Sequence, residues 1–133
     1  MIKNQLKIKK MKQKKRVLIV EDEKSLFEIL KDKFEMEGFG VLIAENGAIG
    51  LEVALKELPD IILLDIAMPV MDGLEMLRLL RDDEKGKNLK VIILTNYGDM
   101  EKFVQAKELG VVDYLVKADW SMKDIVEKVR KQI

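Results

Sequence analysis

IILLDIAMPVMDG, residues 61–73, holds the first decision about this chain. An unbroken apolar run ends on a single carboxylate, Asp65; a proline follows four residues later, then an Asp-Gly pair. Such a run, bounded by turn formers, reads as a strand buried on both faces. Strands of that kind belong to parallel sheets covered by helices. The acid has two readings: it simply ends the strand, or it is placed at the strand's carboxyl end for chemistry.

Outward from this strand, short apolar runs alternate with amphipathic stretches of about ten to fourteen residues. VLIV at 17–20 is expected as the first strand. A helix over 24–37 follows, with Leu26, Ile29, Leu30 and Phe34 on its buried face and Gly38 and Gly40 bracketing the next turn. VLIA at 41–44 is the second strand. Asn46 caps a helix over 47–57, which Pro59 stops. IILLD at 61–65 is the third strand, and Asp72 with Glu75 opens a helix through about Arg81. After the charged loop DDEKGKN, VIILT at 91–95 is the fourth strand. Asp99 caps a helix to Leu109, ended by Gly110. DYLV at 113–116 is the fifth strand. Ser121 and Asp124 resemble a capping box, Trp120 a staple against Ile125, and the last helix runs from 122 to the end. Five βα units predict an α/β fold with a doubly wound parallel sheet; a closed barrel needs eight.

Composition narrows the chemistry. The 133 residues suit one domain. With no cysteine and no histidine, disulfides, thiolate or imidazole metal sites and His- or Cys-based catalysis are excluded. Carboxylates, hydroxyls, lysines and backbone remain. No apolar run approaches the ~20 residues of a membrane-spanning helix. The net charge of zero hides an asymmetry. Residues 1–16 carry eight Lys/Arg and no acid, whereas the remainder holds 16 basic and 24 acidic residues. This basic arm lacks the apolar core of a secretory signal, so a cytoplasmic location is expected. The arm reads as a solvated tail or a helical extension, or as a contact for nucleic acid or an acidic surface. MKQKKRVLIVEDE also reads as a complete start, at Met11.

In a parallel sheet the carboxyl ends share one edge, where ligands bind at the switch in strand order. The first strand delivers Glu21 and Asp22 there, the second Glu45 and Asn46, the third Asp65, the fourth Thr95 and the fifth Lys117. Singly, each has a plain alternative: helix N-terminal acids, a β-branched strand residue, a surface lysine. Together, three carboxylates, a hydroxyl and an ammonium converge. Acids so grouped need a cation, and an oxygen-only set suits Mg²⁺. The inventory fits phosphoryl chemistry, with Asp65 as nucleophile, Glu21 and Asp22 as metal ligands, and Lys117 and Thr95 facing phosphoryl oxygens.

VLIVEDE, LLDIAMPVMDG, VIILTN and DYLVKAD, in this order and spacing, resemble the receiver domain of two-component response regulators, over roughly residues 15–132. The resemblance implies a flavodoxin-like sheet in the order 2-1-3-4-5, and divides the chain into a basic arm, 1–15, and a receiver, 16–133. It implies that Asp65 accepts a phosphoryl group from a histidine kinase or histidine phosphotransfer protein. Glu21, Asp22, Asp65 and the Ala67 backbone carbonyl would hold Mg²⁺. Thr95 and Tyr114 would form the switch, with Lys117 beside the acceptor. Residues 99–131 would change their affinity for a downstream protein or, on phosphorylation, for a second copy of the chain in a homodimer. The chain would be no enzyme beyond its own phosphorylation and dephosphorylation, and no DNA-binding domain is expected.

Two departures stand out. The family usually carries Lys-Pro after the fifth strand, often with a cis bond, and here it is Lys117-Ala118. A cis bond before alanine costs ~2.5–4 kcal/mol, so a trans or strained loop is expected. Asn96 stands where the family has a small residue, and is expected to slow attack on the phosphoryl group or restrict donors. The competing readings are a receiver-like binding module that is never phosphorylated, and an aspartate-based phosphatase. The latter wants a second acid two residues after the nucleophile, where this chain has Ala67.

Overall fold

The structure, a computed structural model, describes residues 14–96 and 98–133. Strands and helices alternate: β1 (Arg16–Val20), α1 (Lys24–Met36), β2 (Gly40–Ala44), α2 (Gly47–Glu57), β3 (Ile61–Leu64), α3 (Gly73–Asp82), β4 (Val91–Thr95), α4 (Met100–Glu108), β5 (Asp113–Val116) and α5 (Met122–Gln132). A single 3₁₀ turn, Lys117–Asp119, joins β5 to the last helix. The sheet is parallel, in the order β2-β1-β3-β4-β5. This is the doubly wound sheet that the βα pattern predicts, in the flavodoxin-like order that the resemblance implies.

The period of two along each strand divides the core in half. Val17, Ile19, Ile61, Leu63, Ile92, Leu94 and Leu115 face α1 and α5. Leu18, Val20, Ile62, Leu64, Val91 and Ile93 face Leu74, Met76, Leu77 and Leu80 of α3, with Ala54 of α2 and Ala106 of α4. β1, β3 and β4 are buried almost throughout. β2 and β5 are only half buried, because each is an edge strand with one neighbour. Their apolar runs read like those of the central strands, and only the sheet order separates them.

The helix starts follow from capping. Asn46, Asp72, Asp99 and Ser121 each accept a hydrogen bond from a backbone N–H in the first turn of the following helix; such caps contribute about 1 kcal/mol each. α1 starts at Glu23 without a side-chain cap. Its buried face also differs from the expected one. Phe27, Leu30 and Phe34 enter the core, whereas Ile29 is 53% exposed. Phe27 lies three residues before Leu30 and seven before Phe34, which sets the stripe, and Ile29 falls outside that arc.

The basic arm falls outside the described residues up to position 13, and Met11 with it. Among the described residues, no helix is long and apolar enough to cross a membrane.

Candidate functional site

The parallel register carries the acids to one edge. The Asp65 N–H donates to the Val20 carbonyl, and the Glu21 N–H donates to the Ala44 carbonyl, each at 3.0 Å. Backbone pairing therefore runs one residue past the strands and sets Asp65 beside the end of β1. Glu21, Asp22 and Asp65 each bring an oxygen within 4.8 Å of the others. Glu21 and Asp65 are 2% and 5% exposed, while Asp22 is open to solvent.

Lys117 reaches into the cluster from the end of β5. Its ammonium donates to Glu21 Oε2 at 2.8 Å and to Asp65 Oδ2 at 3.4 Å. The Glu23 N–H donates to Glu21 Oε1 at 3.2 Å. Asp65 Oδ1 is buried and has no hydrogen-bond partner among the described residues. Buried polar atoms are nearly always paired, so this oxygen is one that a bound group would satisfy.

Electrostatics agree with the crowding. Burial pushes the Glu21 carboxyl up to about 7, against the opposing hydrogen bond from Lys117. Burial also raises Asp65, although the Lys117 charge pulls it down. Burial disfavours the Lys117 ammonium, but the hydrogen bond to Glu21 and the Asp65 and Glu21 charges outweigh it, leaving the lysine raised. Three acids and one ammonium leave a net negative site that favours a cation. Oxygen ligands without nitrogen or sulfur suit Mg²⁺.

The loop after Asp65 is held by close backbone approach. A Cβ on Gly73 would sit 2.1 Å from the Asp65 carbonyl oxygen, and one on Gly47 would sit 2.4 Å from the Met71 oxygen. The Gly73 N–H donates to Ile66 and the Gly47 N–H to Met71. Between them, Val70 has φ +69 and the Met71 N–H bonds back to Pro69, a three-residue γ-turn. Val70 is 84% exposed, so no packing of its side chain explains the conformation. Ala67, on the same loop, is exposed.

The remaining predicted residues lie on β4, β5 and the segments that follow them. Thr95 is fully buried at the end of β4, and Asn96 after it is exposed. The Lys117-Ala118 bond is trans, like every other described peptide bond. Tyr114 packs edge-on against Phe103 at 5.3 Å. Its side chain joins Gly98, Met100, Phe103 and Val116 around an apolar cavity of about 210 Å³. An open cavity of about 410 Å³ beside the acids is lined by Glu23, Ser25, Leu26, Ile29, Asn96, Lys117 and Ala118. Ile29, expected in the core, thus lines the approach to the site. Its position outside the Phe27–Leu30–Phe34 stripe was the available signal.

Residues 17–130 match the family model described as the response regulator receiver domain. Sporulation initiation phosphotransferase F of Bacillus subtilis (strain 168) is 34% identical over 118 residues, 89% of this chain and 93% of that protein. The transcriptional regulatory protein CusR of Escherichia coli (strain K12) is 38% identical over 86% of this chain, but the match spans only 49% of CusR. Among solved structures, a CheY-like response regulator receiver domain protein from Methanospirillum hungatei JF-1 gives a TM-score of 0.84 at 30% identity, covering 90% of this chain and 94% of that one. TrrA from Thermotoga maritima, in complex with Mg(2+)-BeF, gives 0.79 at 34% identity, covering 90% and 99%. Sequence match, sheet order and the acids gathered at one edge agree: the chain belongs to the response regulator receiver domain family.

Proposed function

We propose that Asp65 accepts a phosphoryl group from a histidine kinase or histidine phosphotransfer protein. The observation that carries this reading is Asp65 Oδ1, buried and without a partner among the described residues, at the carboxyl end of the central strand. That oxygen attacks phosphorus; the O–P bond forms as the N–P bond of the phosphoimidazole breaks, and the imidazole nitrogen leaves with the electron pair. Glu21, Asp22 and Asp65, with the Ala67 carbonyl, would hold Mg²⁺, which when bound neutralises charge between carboxylate and phosphoryl oxygens. Lys117, 3.4 Å from Asp65 Oδ2, supplies a positive charge to a phosphoryl oxygen. The buried Thr95 hydroxyl supplies a donor to another. Tyr114 then repacks with Thr95, and the surface of residues 99–131 changes its affinity for a downstream protein or a second copy.

The test is intact mass after incubation with acetyl phosphate, with and without Mg²⁺, for wild type and Asp65→Ala. One phosphoryl group gained with Mg²⁺, and absent from the variant, supports the reading. No gain from acetyl phosphate or from a phosphorylated histidine phosphotransfer protein would leave an unphosphorylated binding module as the better description.

A further inference from the structure

The amino edge of the sheet, opposite the acids, carries charge of the other sign. The chain enters β1 there through Lys14 and Lys15, both exposed. With Arg130 of α5, and Glu37, Gly38 and Phe39 between α1 and β2, they line an open cavity of about 280 Å³. The acid in that lining, Glu37, is already engaged by two cations, Lys33 at 3.2 Å and Arg130 at 3.1 Å. No ion pair among the described residues engages Lys14 or Lys15. Met36, next to Glu37 in the chain, is 81% exposed. The segment attached at Lys14 continues this chemistry. Residues 1–13, outside the described residues, carry Lys3, Lys7, Lys9, Lys10 and Lys12 and no acid, interleaved with Ile2, Leu6, Ile8 and Met11.

We infer that this edge, with the segment attached to it, is a surface for an anionic lipid bilayer. Cations alone would suit any polyanion, and the side chains among them choose. Nucleic acid is read by arginine forks and stacked aromatics. Residues 1–15 contain no arginine and no aromatic. The Arg16 guanidinium is committed to Glu57 at 3.1 Å, and that of Arg130 to Glu37 and to the Phe39 ring at 5.3 Å. Lysine point charges interleaved with aliphatic side chains, and an exposed methionine beside them, match an interface where phosphate headgroups lie over acyl chains. The acids do not oppose this contact. β1 spans five residues, roughly 16 Å at ~3.3 Å per residue. That exceeds the Debye length of ~10 Å at ~0.1 M salt, so the bilayer draws on the lysines while Glu21, Asp22 and Asp65 are screened from it. Bound this way, the chain turns its Asp65 edge away from the lipid. None of this depends on phosphorylation of Asp65.

The experiment is co-sedimentation of the full chain with vesicles of equal parts phosphatidylglycerol and phosphatidylcholine, and with vesicles of phosphatidylcholine alone. Binding is expected to the first and not to the second. Lys14→Gln combined with Lys15→Gln is expected to bind the anionic vesicles at least about tenfold more weakly, since each lysine near such a surface contributes about fivefold. Lys24→Gln, in the first turn of α1 at the opposite edge, is expected to change the affinity by less than about twofold. All three side chains are exposed, so the fold is not at stake. No binding to the anionic vesicles, or equal binding to the neutral ones, overturns the inference. An unchanged affinity in the Lys14 and Lys15 double variant overturns it too, as does a loss in Lys24→Gln as large as in that variant, because net charge rather than this edge would then drive binding. Displacement of the chain from the vesicles by double-stranded DNA at equal phosphate concentration overturns it in favour of a nucleic acid.

Discussion

Gly73, the first residue of α3, lies so close to Asp65 that a Cβ there would stand 2.1 Å from the Asp65 carbonyl oxygen. The helix start and the candidate phosphoacceptor loop are thus packed backbone to backbone. Alanine is the better helix former by about 1 kcal/mol, yet the clash dominates. Gly73→Ala is expected to lower stability by about 2–4 kcal/mol and to weaken Mg²⁺ binding by displacing Asp65. Urea unfolding checks the first effect and Mg²⁺ titration the second; a variant as stable as wild type would refute the packing argument.

Val70 poses the opposite case. A β-branched residue at φ +69 is strained, and its exposed side chain gains nothing in return. Val70→Gly is expected to raise stability by about 1 kcal/mol, the strain relieved exceeding the entropy cost of glycine. A lower urea midpoint in the variant would show that the turn is not strained.

Stability should depend on pH through the buried acids. Glu21 is raised from 4.5 to about 7 and Asp65 is raised as well, both chiefly by burial. A carboxyl with a raised folded pKa holds its proton more tightly when folded. Its contribution is complete below the unfolded pKa and is lost as pH rises through the folded one. Lys117 is raised from 10.5, so its contribution persists throughout this window. The metal-free protein is expected to lose on the order of 1–2 kcal/mol between about pH 5.5 and 7.5, after discounting for partial solvent access. Saturating Mg²⁺, which favours the ionised acids, should shrink or reverse that loss. Urea midpoints at the two pH values decide; a flat metal-free profile contradicts the desolvation of Glu21.

Arg81 ties two loops together without a carboxylate partner among the described residues. Its guanidinium donates to the carbonyls of Leu109 at 2.7 Å, Leu89 at 2.8 Å, Gly86 at 2.9 Å and, more weakly, Gly110 at 3.4 Å. Arg81→Met leaves these carbonyls short of donors and should cost about 2–4 kcal/mol. Amide hydrogen exchange is expected to rise over residues 83–90 and 109–111. Exchange unchanged in both loops would mean that they hold without the guanidinium.

Asn96 stands exposed over the cavity beside Lys117. Asn96→Ala opens that approach and is expected to shorten the phosphoryl lifetime and to speed labelling by acetyl phosphate, each by about two- to tenfold. Lifetimes read from intact mass over time check this, and equal lifetimes remove Asn96 from the gating role.

The alternation of buried runs with helical stripes, the caps at Asn46, Asp72, Asp99 and Ser121, and the strand-end residues Glu21, Asp22, Asp65, Thr95 and Lys117 were all legible in the sequence. They are local properties: a period, a cap and a position at the end of a run depend on a few neighbours along the chain. Tertiary structure decided the rest. It left β2 and β5 half exposed, because edge position depends on strand order and not on composition. It turned Ile29 to the site's approach, because α1 rolls to bury the larger Phe27 and Phe34. It gave Val70 its positive φ, through the backbone contacts of Gly47 and Gly73 on either side of the loop. It also gave Lys117 a nearer partner in Glu21 than in Asp65, a choice between acids 96 and 52 residues away in sequence that only their meeting in space could settle.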